Sequence, residues 1–303
     1  MPNTFLTPDI IAREALMVLR NNAVMAKLVH RDYSSEFVAG VGDTITIRKP
    51  ATFVAKEFTS EIELQDATES GIEVKMDKHL DVSFSVTSKQ MTMDIESFSQ
   101  QLIVPAMQAF NDKVDKYLLG LYADVTAAVG EGAAMPTNID GIVDAGAQLN
   151  KAKAPMTERR LVLDPLTEAA YLKLGTFHEA DKVGDNGTAL REASLGRKFG
   201  FDTYMDQNVI EAGGVIQNLA FHKNAFALVT RPLVLPSGAG KAAIVNYDGF
   251  GLRVVYGYDM TKKTDIISID MLCGVKTLNK DLAVKVLTKA GTASEARMAR
   301  TKE

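Results

Sequence analysis

The chain has 303 residues, a formal net charge of -4, 46% apolar and 24% charged residues and a mean hydropathy of -0.01, enough for one large domain or two modest ones with a real hydrophobic core. No apolar stretch approaches the roughly 20 residues of a spanning helix, and residues 1–7 lack the basic and apolar parts of a signal peptide, so no membrane partner is expected and the chain is expected to stay in the cytoplasm. One cysteine, Cys273, excludes an internal disulfide and a cysteine-built zinc site, and the lack of a dense basic stripe excludes a strong grip on nucleic acid.

A first helix is predicted from Thr7-Pro8-Asp9, where threonine suits the N-cap, proline the first helical position and Asp9 the positive helix end. It runs toward Val29, with Ile11, Ala15, Leu16 and Leu19 at helical spacing and a weak point at Asn21-Asn22. Gly40-Val41-Gly42-Asp43 forms a turn before residues 44–48, where Ile45 and Ile47 alternate with polar neighbours as in a half-buried strand. That G-x-G is not a dinucleotide loop, because a β-rich segment follows where a helix is required.

Residues 72–87 are the most informative stretch. Ile72, Val74, Met76, Leu80, Val82, Phe84 and Val86 share one face, broken only by Lys78, while Glu73, Lys75, Asp77, His79, Asp81, Ser83, Ser85 and Thr87 take the other. One strand of this length would reach roughly 50 Å, whereas globular strands usually stop near about 10 residues. It is therefore expected to leave any compact domain and to pair back onto residues 44–58 as a two-stranded arm, with the acidic stretch 59–71 as its tip. Such a ribbon alone is marginal in water, so it requires a partner surface, most simply another copy of the chain. Phe53, Phe58, Glu61, Glu63, Asp66, Glu69, Lys75 and Lys78 are its candidate inter-subunit contacts.

A long helix is predicted over 94–129, with Phe98, Leu102, Ala106, Phe110, Val114, Leu118, Leu121 and Val125 as its apolar stripe and Pro105 as a kink or restart. Its length would be about 50 Å. From 138 to 235 the pattern is compact α/β. Asp140 caps a helix containing Ile142, Val143 and Leu149; Leu161-Val162-Leu163 is a short buried strand; Pro165 and Thr167 open a helix through Leu174. Residues 182–188 read as a mobile loop, 199–205 as a strand, and Gly213-Gly214 as a turn toward the strands around Leu219-Ala220-Phe221 and 226–229. The end is β again. Phe250, Leu252, Val254, Tyr256, Tyr258 and Met260 alternate, a turn covers 261–264, and Ile267, Ile269, Met271, Cys273 and Val275 alternate back as a long hairpin. Leu282, Val284 and Val286 add a strand before a polar tail, 288–303.

Motifs for chemistry are absent. His30, His79, His178 and His222 have no metal-ligand spacing, so neither metal nor cofactor is expected. Cys273 sits in the apolar phase of a strand and reads as a core residue. Gly238-Ala239-Gly240-Lys241 fails as a phosphate loop, since Ala242 stands where Ser or Thr must hold magnesium and Leu235 where the first glycine belongs. No G-x-S-x-G elbow is present, and no catalytic residue is nominated. The mildly basic end, with Lys285, Lys289, Arg297, Arg300 and Lys302, is either a solvated tail or a segment near packaged nucleic acid.

Four strings then fall in a meaningful order: Thr7-Pro8-Asp9-Ile10-Ile11-Ala12, Gly42-Asp43-Thr44-Ile45-Thr46-Ile47-Arg48-Lys49-Pro50, Arg160-Leu161-Val162-Leu163-Asp164-Pro165 and Asn218-Leu219-Ala220-Phe221-His222-Lys223-Asn224-Ala225-Phe226-Ala227-Leu228. With the order of elements, the chain resembles the major capsid (coat) proteins of tailed bacteriophages. The resemblance implies an α+β Johnson fold: an N-terminal arm (1–40), an extended two-stranded loop with its base strands (41–90), a peripheral domain with a long spine helix (91–137) and return strands (244–287), an axial α/β domain (138–243) and a flexible tail (288–303). It implies copies assembling as pentamers and hexamers into an icosahedral shell around double-stranded DNA, built in the host bacterial cytoplasm and ending in the virion. The implied partners are the chain itself, a separate scaffolding protein, a portal protein and DNA held weakly and without sequence preference. The chain departs from some relatives in having room for neither an N-terminal scaffolding segment nor an extra inserted domain, and no match assigns a covalent crosslink. An encapsulin-like nanocompartment shell is the alternative within the fold, and a cytosolic α/β enzyme built on 138–235 the alternative outside it.

Overall fold

A computed structural model of the chain describes residues 24–31, 44–49, 70–87, 99–130, 134–178, 195–237, 241–247 and 250–289, with single residues within 11–17 and 55–57. The first elements are α1 (Met25–Leu28), β1 (Thr44–Lys49), β2 (Ser70–Lys75), β3 (Lys78–Thr87), α2 (Val104–Leu119), β4 (Ala128–Val129), α3 (Asp140–Lys151), β5 (Arg159–Leu163), α4 (Pro165–Leu172) and α5 (Gly175–His178). Strands follow: β6 (Arg197–Lys198), β7 (Phe201–Met205), β8 (Glu211–Ala212), β9 (Val215–His222), β10 (Phe226–Arg231), β11 (Lys241–Tyr247), β12 (Phe250–Asp259), β13 (Thr264–Thr277) and β14 (Ala283–Lys289).

One mixed sheet has the order β4-β14-β9-β5-β7-β6, with β8 on β9. Its central strands are covered on both faces. Leu161, Leu163, Ala220 and Val284 pack with Ile142, Leu149, Tyr171 and Phe177 of α3 to α5. Val162, Leu219, Phe221 and Ala283 face the opposite core, shared with Phe110 and Val114 of α2. A strand buried on both sides has no polar phase, which is why Leu161-Val162-Leu163 reads as an unbroken apolar run. Asp164 starts α4 by accepting from the Leu166 amide at 2.8 Å, with Pro165 in the first turn. Asp140, expected as the cap, is already helical; the N-cap is Ile139, which makes no side-chain cap bond, and the Asn138 side chain, two residues before Asp140, accepts from its amide at 3.2 Å. The strand expected from 199 begins at Phe201, because Phe199 and Gly200, both at positive φ, turn the chain between β6 and β7.

In the second sheet β13 is central and antiparallel to its neighbours. β12 and β3 flank its first half, β10 pairs its second half, and β11 pairs the outer side of β12. The β12–β13 hairpin was expected; β11, a strand in a stretch assigned no structure, was not. Its apolar face (Leu252, Val254, Ile267, Ile269, Met271, Cys273) packs into the core that contains Met107, Phe110, Val114 and Leu118 of α2.

Two expectations are corrected. The helix predicted to 129 ends at Leu119, a 3-10 turn occupies Gly120–Asp124, and β4 lies where helix was expected, paired parallel to β14. At about 1.5 Å per residue α2 is about 24 Å long, half the expected length. Pro105 does restart the helix, in the first turn of α2 behind a π turn at Ser99–Ile103. Residues 94–98 lie outside the described residues.

The arm is the second correction. The predicted faces hold, with Val74, Leu80 and Val86 buried and Glu73, Lys75, Asp77, His79, Asp81, Ser83 and Ser85 exposed. The ladder, however, changes partner at Met76-Asp77. β2 pairs with β1, from Thr44↔Lys75 to Lys49↔Ser70, whereas β3 joins the body by pairing with β13, from Thr264↔Thr87 to Cys273↔Lys78. The stretch 72–87 is thus not a single projecting strand: its second part is covered by the chain's own sheet. The base of the ribbon also touches the body, since Ile45 and Val74 pack with Val229 of β10. Gly274 permits this close crossing, because a Cβ there would run into the Lys75 carbonyl. Residues 59–69 of the acidic tip, the loop at 182–188, the residues before Ile11 and the tail from 290 lie outside the described residues, while Ser70 and Gly71 belong to β2.

Candidate assembly surfaces

Groups that could do chemistry are occupied structurally. Buried His222 accepts the Asn224 amide on Nδ1 at 3.2 Å, and burial pushes its pKa down. Cys273 is buried, its thiol pushed up to about 12 by burial, far from a reactive thiolate. His79 Nε2 lies 3.5 Å from the Asp270 carboxylate, at the rim of a pair in which the Arg253 guanidinium donates through Nε at 2.9 Å and through Nη2. Among the described residues no group of three or more His, Cys, Asp or Glu is placed to hold a metal ion.

The predicted contact residues divide. Lys75 is exposed on β2, opposite Thr44. Lys78 is turned onto its own chain: its ammonium is 3.0 Å from Asp77 Oδ1, lowering the Asp77 pKa, and 5.3 Å from the Tyr117 ring of α2. Phe53, Phe58, Glu61, Glu63, Asp66 and Glu69 lie outside the described residues.

A surface missed in the sequence lies at the outer end of the β12–β13 hairpin. Tyr256 pairs with Ile267 and Tyr258 with Asp265, so Tyr258 continues the face that Leu252 and Val254 bury, and Met260 follows in the turn. Exposure rises from 0% at Leu252 and Val254 to 51% at Tyr258, and Met260 beyond the strand is 82% exposed. The inner half of β12 shares a core with α2. The alternation from Phe250 to Met260 was the available signal. A second apolar patch, Val234 and Leu235, follows β10 and is held by the Arg253 guanidinium donating to the Val234 carbonyl at 2.6 Å. Both ends leave apolar side chains in contact with solvent.

No protein-family model and no curated protein matches the sequence. Solved structures do match. A structure from Mycobacterium phage Che8 superposes with a TM-score of 0.66 at 20% identity, over 87% of this chain and 90% of that one. The capsid structure of the cyanophage P-SCSP1u gives 0.64 at 13% identity over 89% of each chain. The chain has the Johnson fold of phage capsid subunits. This capsid fold also matches a virus-like particle from Pyrococcus furiosus, with a TM-score of 0.54 at 11% identity over 93% of this chain and 98% of that one. The α+β class expected from the sequence is therefore the one observed, and in this chain the exposed hairpin end lies on the sheet that also anchors the ribbon.

Proposed function

We propose that the chain is a major capsid protein whose copies assemble as pentamers and hexamers into the icosahedral shell enclosing a tailed phage's double-stranded DNA, a structural role with no catalysis. The observation that carries this reading is the apolar face of β12 and β13 running past its own core to Tyr258 and Met260, on a capsid fold. Residues 138–243 are read as the axial domain, 91–137 and 244–287 as the peripheral domain, and 41–90 as the extended loop, with Phe53, Phe58, Glu61, Glu63, Asp66, Glu69, Lys75 and Lys78 as contacts to neighbouring copies. A separate scaffolding protein, a portal and weakly held DNA complete the partners, and assembly takes place in the host bacterial cytoplasm.

Electron microscopy of the full chain, expressed with and without its upstream neighbour gene, tests the proposal. Closed shells are expected; a mass that stays at monomer or dimer under every assembly condition overturns it. Lys49 and Ser70 face each other in register, so an Asn-Gly turn can replace residues 50–69 and close the ribbon as a two-residue hairpin. That variant should fold and fail to form shells. The second reading is an encapsulin-like shell that encloses protein cargo; a virus-like particle from Pyrococcus furiosus shares the fold. Nuclease-protected DNA inside purified particles supports the first reading, and co-purifying protein cargo without DNA supports the second.

A further inference from the structure

A cavity of about 200 Å³ lies between α2 and the segment after β7, and the shell reading gives it no role. Its walls include the carboxylates of Asp112, Asp115 and Asp206, the last two only 3% exposed. Among the described residues none of the three forms an ion pair. Asp115 is already satisfied as an anion: its Oδ1 accepts the Met25 amide at 3.1 Å, and the Val24 and Ala26 amides also donate to this carboxylate. Asp206 is not. Its Oδ1 accepts the Asn208 amide at 2.8 Å, but its buried Oδ2 has no hydrogen-bond partner. Nδ2 of Asn111, a residue of α2 that is 5% exposed and lines the same cavity, has none either. A buried carboxylate oxygen and a buried amide group are both costly to leave unmet.

We propose that this cavity binds a hydrated divalent cation, with Asp206 offering Oδ2 to the ion or to one of its waters and Asn111 donating through Nδ2 to another of its waters. The mixture of unmet groups selects the ligand. A lysine or arginine side chain only donates, so it would answer Asp206 and leave the Asn111 amide facing a second donor. A hydrated ion answers both, since its charge and water hydrogens meet the carboxylate while its water oxygens accept from Nδ2. Magnesium is the class that fits, because it gives up water reluctantly and is held by one or two carboxylates with several waters kept. A cage built wholly from protein is not on offer, as no three acidic groups among the described residues converge on one point. Water takes up about 30 Å³ per molecule, so a cavity of about 200 Å³ has room for an ion with several waters.

The field in the cavity favours the same occupant. Burial raises the Asp206 carboxyl, the Asn208 hydrogen bonds oppose it, and the like charge of Asp112 adds to it; burial and then the charge of Asp206 raise Asp115. Like charges that the protein leaves unopposed are what a divalent ion offsets. Lys113 and Lys116 of α2 do not take that part, being exposed, with Lys113 lying 5.2 Å from the Tyr117 ring. A bound ion would tie the segment after β7 to α2 across the cavity. The site lies within one subunit and does not rest on the shell reading.

The full chain, kept unassembled and stripped with a chelator, tests the site at about pH 8. Mn²⁺, which takes the same oxygen donors as magnesium, should bind saturably at a single site when counted by electron spin resonance. MgCl₂ at about 10 mM should lower the unfolding equilibrium constant by about tenfold relative to KCl of equal ionic strength, as an affinity of about 1 mM gives. Asp206→Asn keeps the acceptor for the Asn208 amide and removes the charge, so it should abolish the Mn²⁺ site and cut the magnesium effect below about twofold. Without metal the same variant should be at least as stable as the parent, which a carboxylate with a purely structural role would not give. Asp281→Asn, the same change at an exposed position, should leave both responses intact. A native chain with no saturable Mn²⁺ site, or one stabilised no more by MgCl₂ than by KCl, overturns the proposal without recourse to any variant. A response that survives Asp206→Asn overturns it as well, and so does one confined to assembled particles, which would give the cavity to a basic side chain of a neighbouring copy.

Discussion

The two sheets use their apolar residues in opposite ways. The central strands of the mixed sheet, β5, β9 and β14, are covered by helices α3 to α5 on one face and by the main core on the other. The antiparallel sheet around β13 shares a core with α2 over its inner half and runs on past it, ending in exposed Tyr258, Met260 and Ile266. The contrast separates residues that hold a subunit together from residues left over for something else.

Substitutions can break or sharpen this contrast. The largest loss of stability is expected in the mixed sheet. Phe221→Ala removes a side chain with no exposure, packed edge-on against Phe226 at a centroid distance of 5.2 Å, and should cost about 3–5 kcal/mol in chemical unfolding. A cost under about 1 kcal/mol would mean that this face is not the core it is taken for. In the antiparallel sheet, Arg253→Met strands the Asp270 carboxylate, 3% exposed, and should cost about 3 kcal/mol, with Asp270→Asn recovering part of it in the double variant. Equal losses in the single and double variants would argue against the pair. Gly274→Ala forces a methyl group against the Lys75 carbonyl and should cost about 1–3 kcal/mol, with faster amide exchange in β1 and β2 than in β9. The smallest effect on folding is expected from Tyr258→Ser combined with Met260→Ser, within about 0.5 kcal/mol of the parent. If the hairpin end is an assembly surface, that same variant yields no shells; normal shells would remove the hairpin from the contact.

Much of the fold was legible in local pattern, because a strand with one covered face imposes a period of two whatever covers it. The faces of residues 72–87 were therefore readable, but the partner of β3 was not: β13 lies far along the chain, and the alternation is the same whether a second strand or a body sheet pairs with it. The end of α2 was hidden for a related reason. Leu121 and Val125 stay in helical phase, and only the parallel pairing of Ala128 and Val129 with Lys285 and Val286 makes β4 a strand. Of the candidate assembly surface, the alternation through Met260 was legible, while its exposure was not. Nothing in the sequence near Asp115 or Asp206 shows that both are buried.

The change of partner at Met76-Asp77 has a mechanical consequence. β2 continues into β3 after only two residues, and β3 is tied to β13 by an antiparallel ladder of ten register pairs. A tug on the ribbon directed along the strand enters this ladder at Lys78 and loads it lengthwise, so that many cross-strand bonds share the force and none is unzipped alone. Load carried in this direction is delivered straight to the strand at the middle of the body.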